Sequence, residues 1–165
     1  MMFPLSQKDD GTVKWTLKEF TQLTVEELYH ILNLRIEVFM REQNCLYSET
    51  DYYDQKALHI WTTNDDNLIL AYARILPPHT LYHGVKSARA KIGRVVVNKI
   101  VRGTGLSYQL MEKAISQIQE RYLSEIEISA QAHLTHFYQK LGFAIDSEEY
   151  LEDGIPHIRM IFKSS

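Results

Sequence analysis

Cysteine is almost absent from this chain: Cys45 stands alone among 165 residues. No intrachain disulfide can form, which excludes a disulfide-stapled scaffold. The Cys₄, Cys₃His and Cys₂His₂ zinc sites fall with it, because each needs at least two thiolates. Glycine and proline are sparse, at 7 and 4, so fibrous and low-complexity classes do not fit. No apolar run approaches the ~18 residues of a membrane span, and the opening MMFPLSQKDDG lacks a basic segment followed by an apolar one. A cytoplasmic protein with no membrane partner is expected. Excess positive charge is missing too: the net charge is −3, against the basic patch that nucleic-acid binding requires. The length is that of one domain, here residues 1–165 with a core over about 12–162, and such a chain buries roughly 70% of the surface it exposes unfolded.

Periodicity supplies the elements. Thr12 to Phe20 alternates, with Val13, Trp15 and Leu17 on one face, and reads as a half-buried strand. Thr24-Val-Glu-Glu27 is a capping box for a helix predicted to run to about Glu42, and residues 43–56 read as a loop. Leu58–Thr62 and Leu68–Leu76 are strands around an Asn64–Asn67 turn, followed by a loop to about Ala90. Lys91–Asn98 is a buried strand, Thr104–Tyr122 a helix and Glu125–Gln131 an alternating strand. His133–Leu141 is a short helix stopped by Gly142, and Phe143–Tyr150 and Ile155–Phe162 close the chain as strands. The order implies an α/β (α+β mixed) domain with one mixed sheet and helices on its faces.

The chemistry concentrates at Ile92 to Ser107, where a buried strand meets Arg102-Gly-Thr-Gly105 and a long helix opens. The first amides of a helix lack partners, its dipole is positive there, and glycine lets an anion approach closely, so this is a phosphate cradle. It is not a dinucleotide fingerprint, since Tyr108 stands where the third glycine belongs. It is not a P-loop, since the chain contains no Gly-Lys pair. What remains is Arg-x-x-Gly-x-small, either a phosphate loop or an ordinary turn.

That segment resembles the acetyl-CoA loop of the GNAT superfamily of N-acetyltransferases, Q/R-x-x-G-x-G/A, with Ser107 in place of the last small residue. The likeness extends to the ElaA-like branch. It is carried by Leu34–Phe39, Arg41-Glu-Gln43, the positions Asp51, Asp54, Ala57 and His59, and Ile92-Gly-Arg-Val95. Ser129–His133, Phe137–Phe143 and Tyr150–His157 complete it, so it covers about residues 12 to 162. The resemblance implies a single GNAT fold whose central mixed sheet splays between two parallel strands. It implies acetyl-CoA as co-substrate, its pantetheine pairing with backbone at Val95, Val96 and Val97 and its pyrophosphate on Arg102, Gly103, Thr104, Gly105, Leu106 and Ser107. It makes Tyr138 the acid that protonates the departing thiolate, and the second partner an amine on a small molecule or peptide.

Several residues read two ways. His59, His157 and Glu42 are base candidates or, equally, structural histidines and a solvated helix-end carboxylate. Glu127, Ser129 and Gln131 line an acceptor pocket or a wet strand face. Asp51, Asp54 and Glu148 attract a cationic amine or sit in a solvated loop. Cys45 reads as an inert small residue rather than a nucleophile. His133 and His136 lack a third ligand, so no metal is expected. Tyr52-Tyr53 and Leu81-Tyr82-His83 are lids or surface turns. Rival functions are an acyltransferase using another acyl-CoA or an oxygen acceptor, a non-catalytic CoA-binding regulatory module, and an interaction domain. Monomer and homodimer both remain open.

Overall fold

A computed structural model describes residues 13–164; Thr12, where the first strand was expected to begin, lies outside the described residues. The first strand is β1 (Thr16–Glu19), shorter than expected, though Val13, Trp15 and Leu17 do pack on the main core. Thr24 then caps α1 (Val25–Arg35) as its capping box predicts: its Oγ1 accepts from the Glu27 amide at 3.1 Å, and Glu27 accepts from the Thr24 amide at 2.9 Å. The helix continues to Glu42, but residues Ile36–Glu42 are wound as a π-helix. Such wider turns commonly occur at functional sites.

The strands β2 (Leu58–Thr63), β3 (Ile69–Leu76), β6 (Ala90–Val97), β7 (Ile126–Gln131) and β10 (Ile155–Phe162) form the heart of an eight-stranded sheet; with β8 (Ala144–Ile145) its order is β1-β2-β3-β6-β7-β10-β8, and β9 (Tyr150–Glu152) pairs with β10 off that path. The expected loop between β3 and β6 holds a small hairpin instead, β4 (Leu81–Tyr82) with β5 (Val85–Lys86). The predicted strand 143–150 is corrected. Two short strands, β8 (Ala144–Ile145) and β9 (Tyr150–Glu152), pair separately with opposite halves of β10. The polar run Asp146-Ser-Glu-Glu149 between them has no apolar alternation to bury. Asp153 and Gly154, both at positive φ, make the two-residue turn from β9 to β10.

Helices cover both faces. On one, α2 (Leu106–Tyr122) buries Leu106, Leu110, Met111, Ala114, Ile115 and Ile118 against Ile60, Ala71, Ala73, Ile75 and Ile92, and α3 (Thr135–Lys140) adds Tyr138. On the other, Ile31, Leu34 and Val38 of the first helix pack on Trp61, Ile69, Tyr72 and Val96. The faces follow from strand alternation, since successive side chains point to opposite sides.

One feature of the pairing opens the molecule. β6 and β7 run parallel but pair only at Ala90↔Ile126 and Lys91↔Glu127. Beyond that point β6 stays with β3 and β7 stays with β10. The sheet therefore splays, and the facing edges from Ile92 and Ile128 onward are left without each other.

Candidate active site at the splayed strands

A cleft of about 1590 Å³ fills this splay. Val95, Val96 and Val97 line one wall, and Glu127, Ser129 and Gln131 the other. At the floor of the first wall the chain turns through a short 3₁₀ segment, Lys99–Val101, into α2. Gly103 and Gly105 adopt φ of +81° and +84°, the left-handed region where glycine carries no steric cost. Gly105 is the N-cap of α2, and no side chain caps that end, so the first-turn amides of a 17-residue helix face the cleft. Arg102, Gly103, Gly105, Leu106 and Ser107 all line it. Thr104 does not; its hydroxyl donates to the Val101 carbonyl at 2.6 Å and holds the turn.

Tyr138, on α3, lines the same cleft from the α2 side. It is 7% exposed and packs edge-on to Phe137 and Phe143. Burial pushes its phenol up to about 12, so it stays protonated at neutral pH. Glu42 also lines the cleft, but its carboxylate pairs with Arg102 at 2.8 Å, at the phosphate-loop end. Next to it Gln43 accepts a hydrogen bond from Gln131 Nε2 at 3.3 Å, so the π-helical end touches both walls.

The expectation that His59 acts as base finds no support in its position. It is fully buried, beneath the face covered by α1, and does not line the cleft. Its Nδ1 lies 2.7 Å from Tyr72 Oη and its Nε2 2.9 Å from the Asp54 carbonyl. Burial, above all, lowers its pKa, which keeps it neutral. Asp51 and Asp54 are both engaged by arginines, Asp54 buried and Asp51 half-buried on the cleft wall. Asp51 takes both nitrogens of Arg74 at 2.8 Å each, and Asp54 accepts from Arg35 at 2.8 Å and Arg74 at 3.0 Å. Glu148 is exposed and off the cleft. Cys45 is half-buried on the cleft wall, and His133 lines it while His136 is exposed. Among the described residues no three His, Cys, Asp or Glu side chains converge as a metal site would need.

The far side of the cleft holds a polar group that sequence reasoning left unassembled. Ser129 Oγ bonds Tyr150 Oη. Tyr150 stacks on His157, with ring centroids 6.3 Å apart. Glu152 reaches His157 Nε2 at 3.2 Å, and His157 Nδ1 donates to the Ile155 carbonyl at 2.7 Å. The register explains it: a two-residue Asp153-Gly154 turn sets Glu152 against Ile155 and hence Tyr150 against His157. The Asp-Gly pair was the signal available in the sequence. Tyr82 and His83 of the β4–β5 hairpin also line the cleft, with Tyr53 packed edge-on to both rings, while Tyr52 and Tyr53 stand off it.

A sheet opened between two parallel strands, with an uncapped helix end at its base, defines an acyl-CoA-dependent acyltransferase fold. Residues 18–164 match the family model described as an acetyltransferase (GNAT) domain. The chain belongs to the GNAT family, and it is an acetyltransferase of the ElaA-like branch. It is 39% identical to protein ElaA of Escherichia coli over 151 residues, which is 90% of this chain and 95% of that protein. Its structure is similar to that of an acyl-CoA N-acyltransferase from Pseudomonas aeruginosa (TM-score 0.83, 42% identity, covering 92% of this chain and 99% of that one). The crystal structure of Escherichia coli ElaA gives a TM-score of 0.82 at 36% identity, over 92% of this chain and 100% of that one. No helix among the described residues is long and apolar enough to cross a membrane.

Proposed function

We propose that the protein moves the acetyl group of acetyl-CoA directly to an amine of a small molecule or peptide. The observation that carries this is the parting of β6 from β7 after two residue pairs, above the uncapped Gly105 end of α2. The unpaired edge of β6 from Val95 to Val97 suits an extended pantetheine chain, which would add to it as a strand. The amides from Gly103 to Ser107 suit its pyrophosphate, and Arg102 adds positive charge there once released from Glu42.

The acetyl group would then lie between Tyr138 and the Ser129–Tyr150–Glu152–His157 group. In the transfer the amine nitrogen attacks the thioester carbon, an N–C bond forms and the C–S bond breaks. The bound ammonium first gives up one proton to water, the neutral amine loses a second as it attacks, and one proton arrives on sulfur, so no other reactant is needed. Glu152 and His157 act as a pair on the nitrogen side: the carboxylate receives the ammonium and the imidazole nitrogen facing it shares the proton. Tyr138 acts on the sulfur side. Neither His59 nor Glu42 has a part in proton removal: the first is off the cleft, and the second is at the phosphate end.

Thermal unfolding with and without acetyl-CoA, CoA, NAD and ATP tests the reading. At 100 times its dissociation constant a ligand adds about 2.7 kcal/mol, a rise of roughly 5–11 °C for a chain this size. A rise with acetyl-CoA and CoA alone, followed by thiol release in an amine screen, is the expected result. No rise at millimolar acetyl-CoA overturns it.

The glycine turn gives a second test. A Cβ on Gly105 would meet nothing within 4 Å, so Gly105→Ala acts only through its φ of +84°. That strain is worth about 1–2 kcal/mol. Acetyl-CoA affinity in calorimetry should fall about tenfold, because the turn must relax or carry strain. Unchanged affinity would remove the turn from the phosphate site.

A further inference from the structure

β6 contains an irregularity at the mouth of the splay. Its register against β3 runs Ile75↔Ile92 and Arg74↔Gly93, then resumes at Tyr72↔Val96 and Ala71↔Val97. Ala73 thus faces both Arg94 and Val95, which is a β-bulge, and one of the two is left outside the ladder. Arg94 sits there at φ +50°, in the left-handed region that a side chain disfavours. Gly93, Arg94 and Val95 all line the cleft.

The Arg94 side chain is gripped from above. Its Nε donates to Glu49 Oε1 at 2.8 Å, and its Nη2 to the Glu49 carbonyl at 3.2 Å and to Asp51 Oδ2 at 3.3 Å. Each of those acids is itself held by a second arginine. Arg35 reaches the same Glu49 oxygen at 2.6 Å and the same carbonyl at 3.2 Å, and Arg74 holds Asp51 through two nitrogens. Arg35 and Arg74 are buried and belong to α1 and β3, so the grip is fixed to the body of the fold.

We propose that Arg94 is a positioning residue for the transfer: the Glu49–Asp51 clasp holds its backbone left-handed, and so fixes the bulge that sets the amides of β6 against the acyl carbonyl. This rests on the acetyl-transfer reading above. A tetrahedral oxyanion needs a donor already in place, and a donor on a mobile strand edge loses much of its effect. The bulge shifts the alternation of amides by one residue at the point where β6 leaves β7, so its presence decides which amide faces the cleft.

Two substitutions at one position separate this from simple stabilisation. Arg94→Ala and Arg94→Gly remove the same ion pairs, but only alanine resists the left-handed backbone. In the CoA-bound protein, the amide chemical shifts of residues 93–96 should stay near wild type in Arg94→Gly and move in Arg94→Ala. The kcat should fall about tenfold in Arg94→Ala and within about threefold in Arg94→Gly. A merely structural arginine would give two variants alike in shifts and kcat; that result, or wild-type behaviour of Arg94→Ala, overturns the proposal. The shifts need no acceptor. If they follow the expected order while the wild type acetylates no amine, the clasp stands and the transferase reading fails.

Discussion

Tyr138→Phe lowers kcat by about 10²–10³, the usual loss when one donor to a developing negative charge is removed. The ring keeps its place among Phe137 and Phe143, and burial alone, with no hydrogen bond, shifts the phenol. Melting temperature and acetyl-CoA affinity should therefore hold, while turnover falls. The raised phenol refines the role. With its pKa pushed up to about 12, and a thiol ordinarily near ~8.5, complete transfer to the thiolate would be uphill by roughly 5 kcal/mol. The phenol acts first as a strong hydrogen-bond donor to sulfur as the C–S bond lengthens, and the proton shed by nitrogen completes the thiol. Accordingly, wild-type kcat should show no limb from loss of the Tyr138 proton between pH 6 and about 10. Steady-state kinetics of both proteins by thiol release checks this. A variant within threefold of wild type would leave the sulfur without Tyr138.

The sequence displayed the parts of this site that repeat locally. The stripe from Leu106 to Ile118 marks α2, the alternation from Ile126 to Ala130 marks β7, and Thr24 with Glu27 marks the start of α1; all are seen. Gly103 and Gly105 could be read as a turn against a helix because their backbone requirement is local. Contacts set by register were hidden. Strand alternation divides His59 from Ile60 but does not say which face meets a cleft, and His59 went to the face under α1. The bulge at Arg94 exists only relative to Ala73 on another strand. The ion cluster joins residues 14 apart (Arg35 and Glu49) and 45 apart (Arg94 and Glu49), with no periodicity to reveal it. The strands β4, β5 and β8 are two residues each, too short for any pattern.

That cluster carries the largest expected effect on stability. Arg35→Met should destabilise the fold by about 3–5 kcal/mol, or roughly 6–20 °C in melting temperature. Arg35 is fully buried, donating to Glu49 at 2.6 Å and to Asp54 at 2.8 Å, and both acids are more than nine-tenths buried. Three guanidiniums (Arg35, Arg74, Arg94) meet three carboxylates (Glu49, Asp51, Asp54), so the intact cluster is neutral and its desolvation is offset by mutual attraction. Removing one cation leaves an uncompensated buried charge, which is why the loss exceeds that of a surface pair. Adding Asp54→Asn to Arg35→Met should then cost less than the two single changes together, since the unpaired charge goes with it. The same geometry fixes the acid limb. Burial alone would raise Asp54, but Arg35 and Arg74 outweigh it and hold the carboxyl below its ordinary 3.8; Asp51, half-buried, is likewise held down by Arg74 and Arg94. The folded state thus binds fewer protons than the unfolded chain below about pH 5. Stability from this source is complete above that pH and is lost as pH falls through the depressed folded values. In Arg35→Met, Asp54 loses one of its two cations, so its folded pKa rises and the acid-side midpoint of unfolding moves to higher pH. Urea unfolding from pH 3 to 7 reads both effects. A variant that melts within 2 °C of wild type with an unshifted acid limb would mean that Arg35 contributes packing and no electrostatic hold on the loop that grips β6.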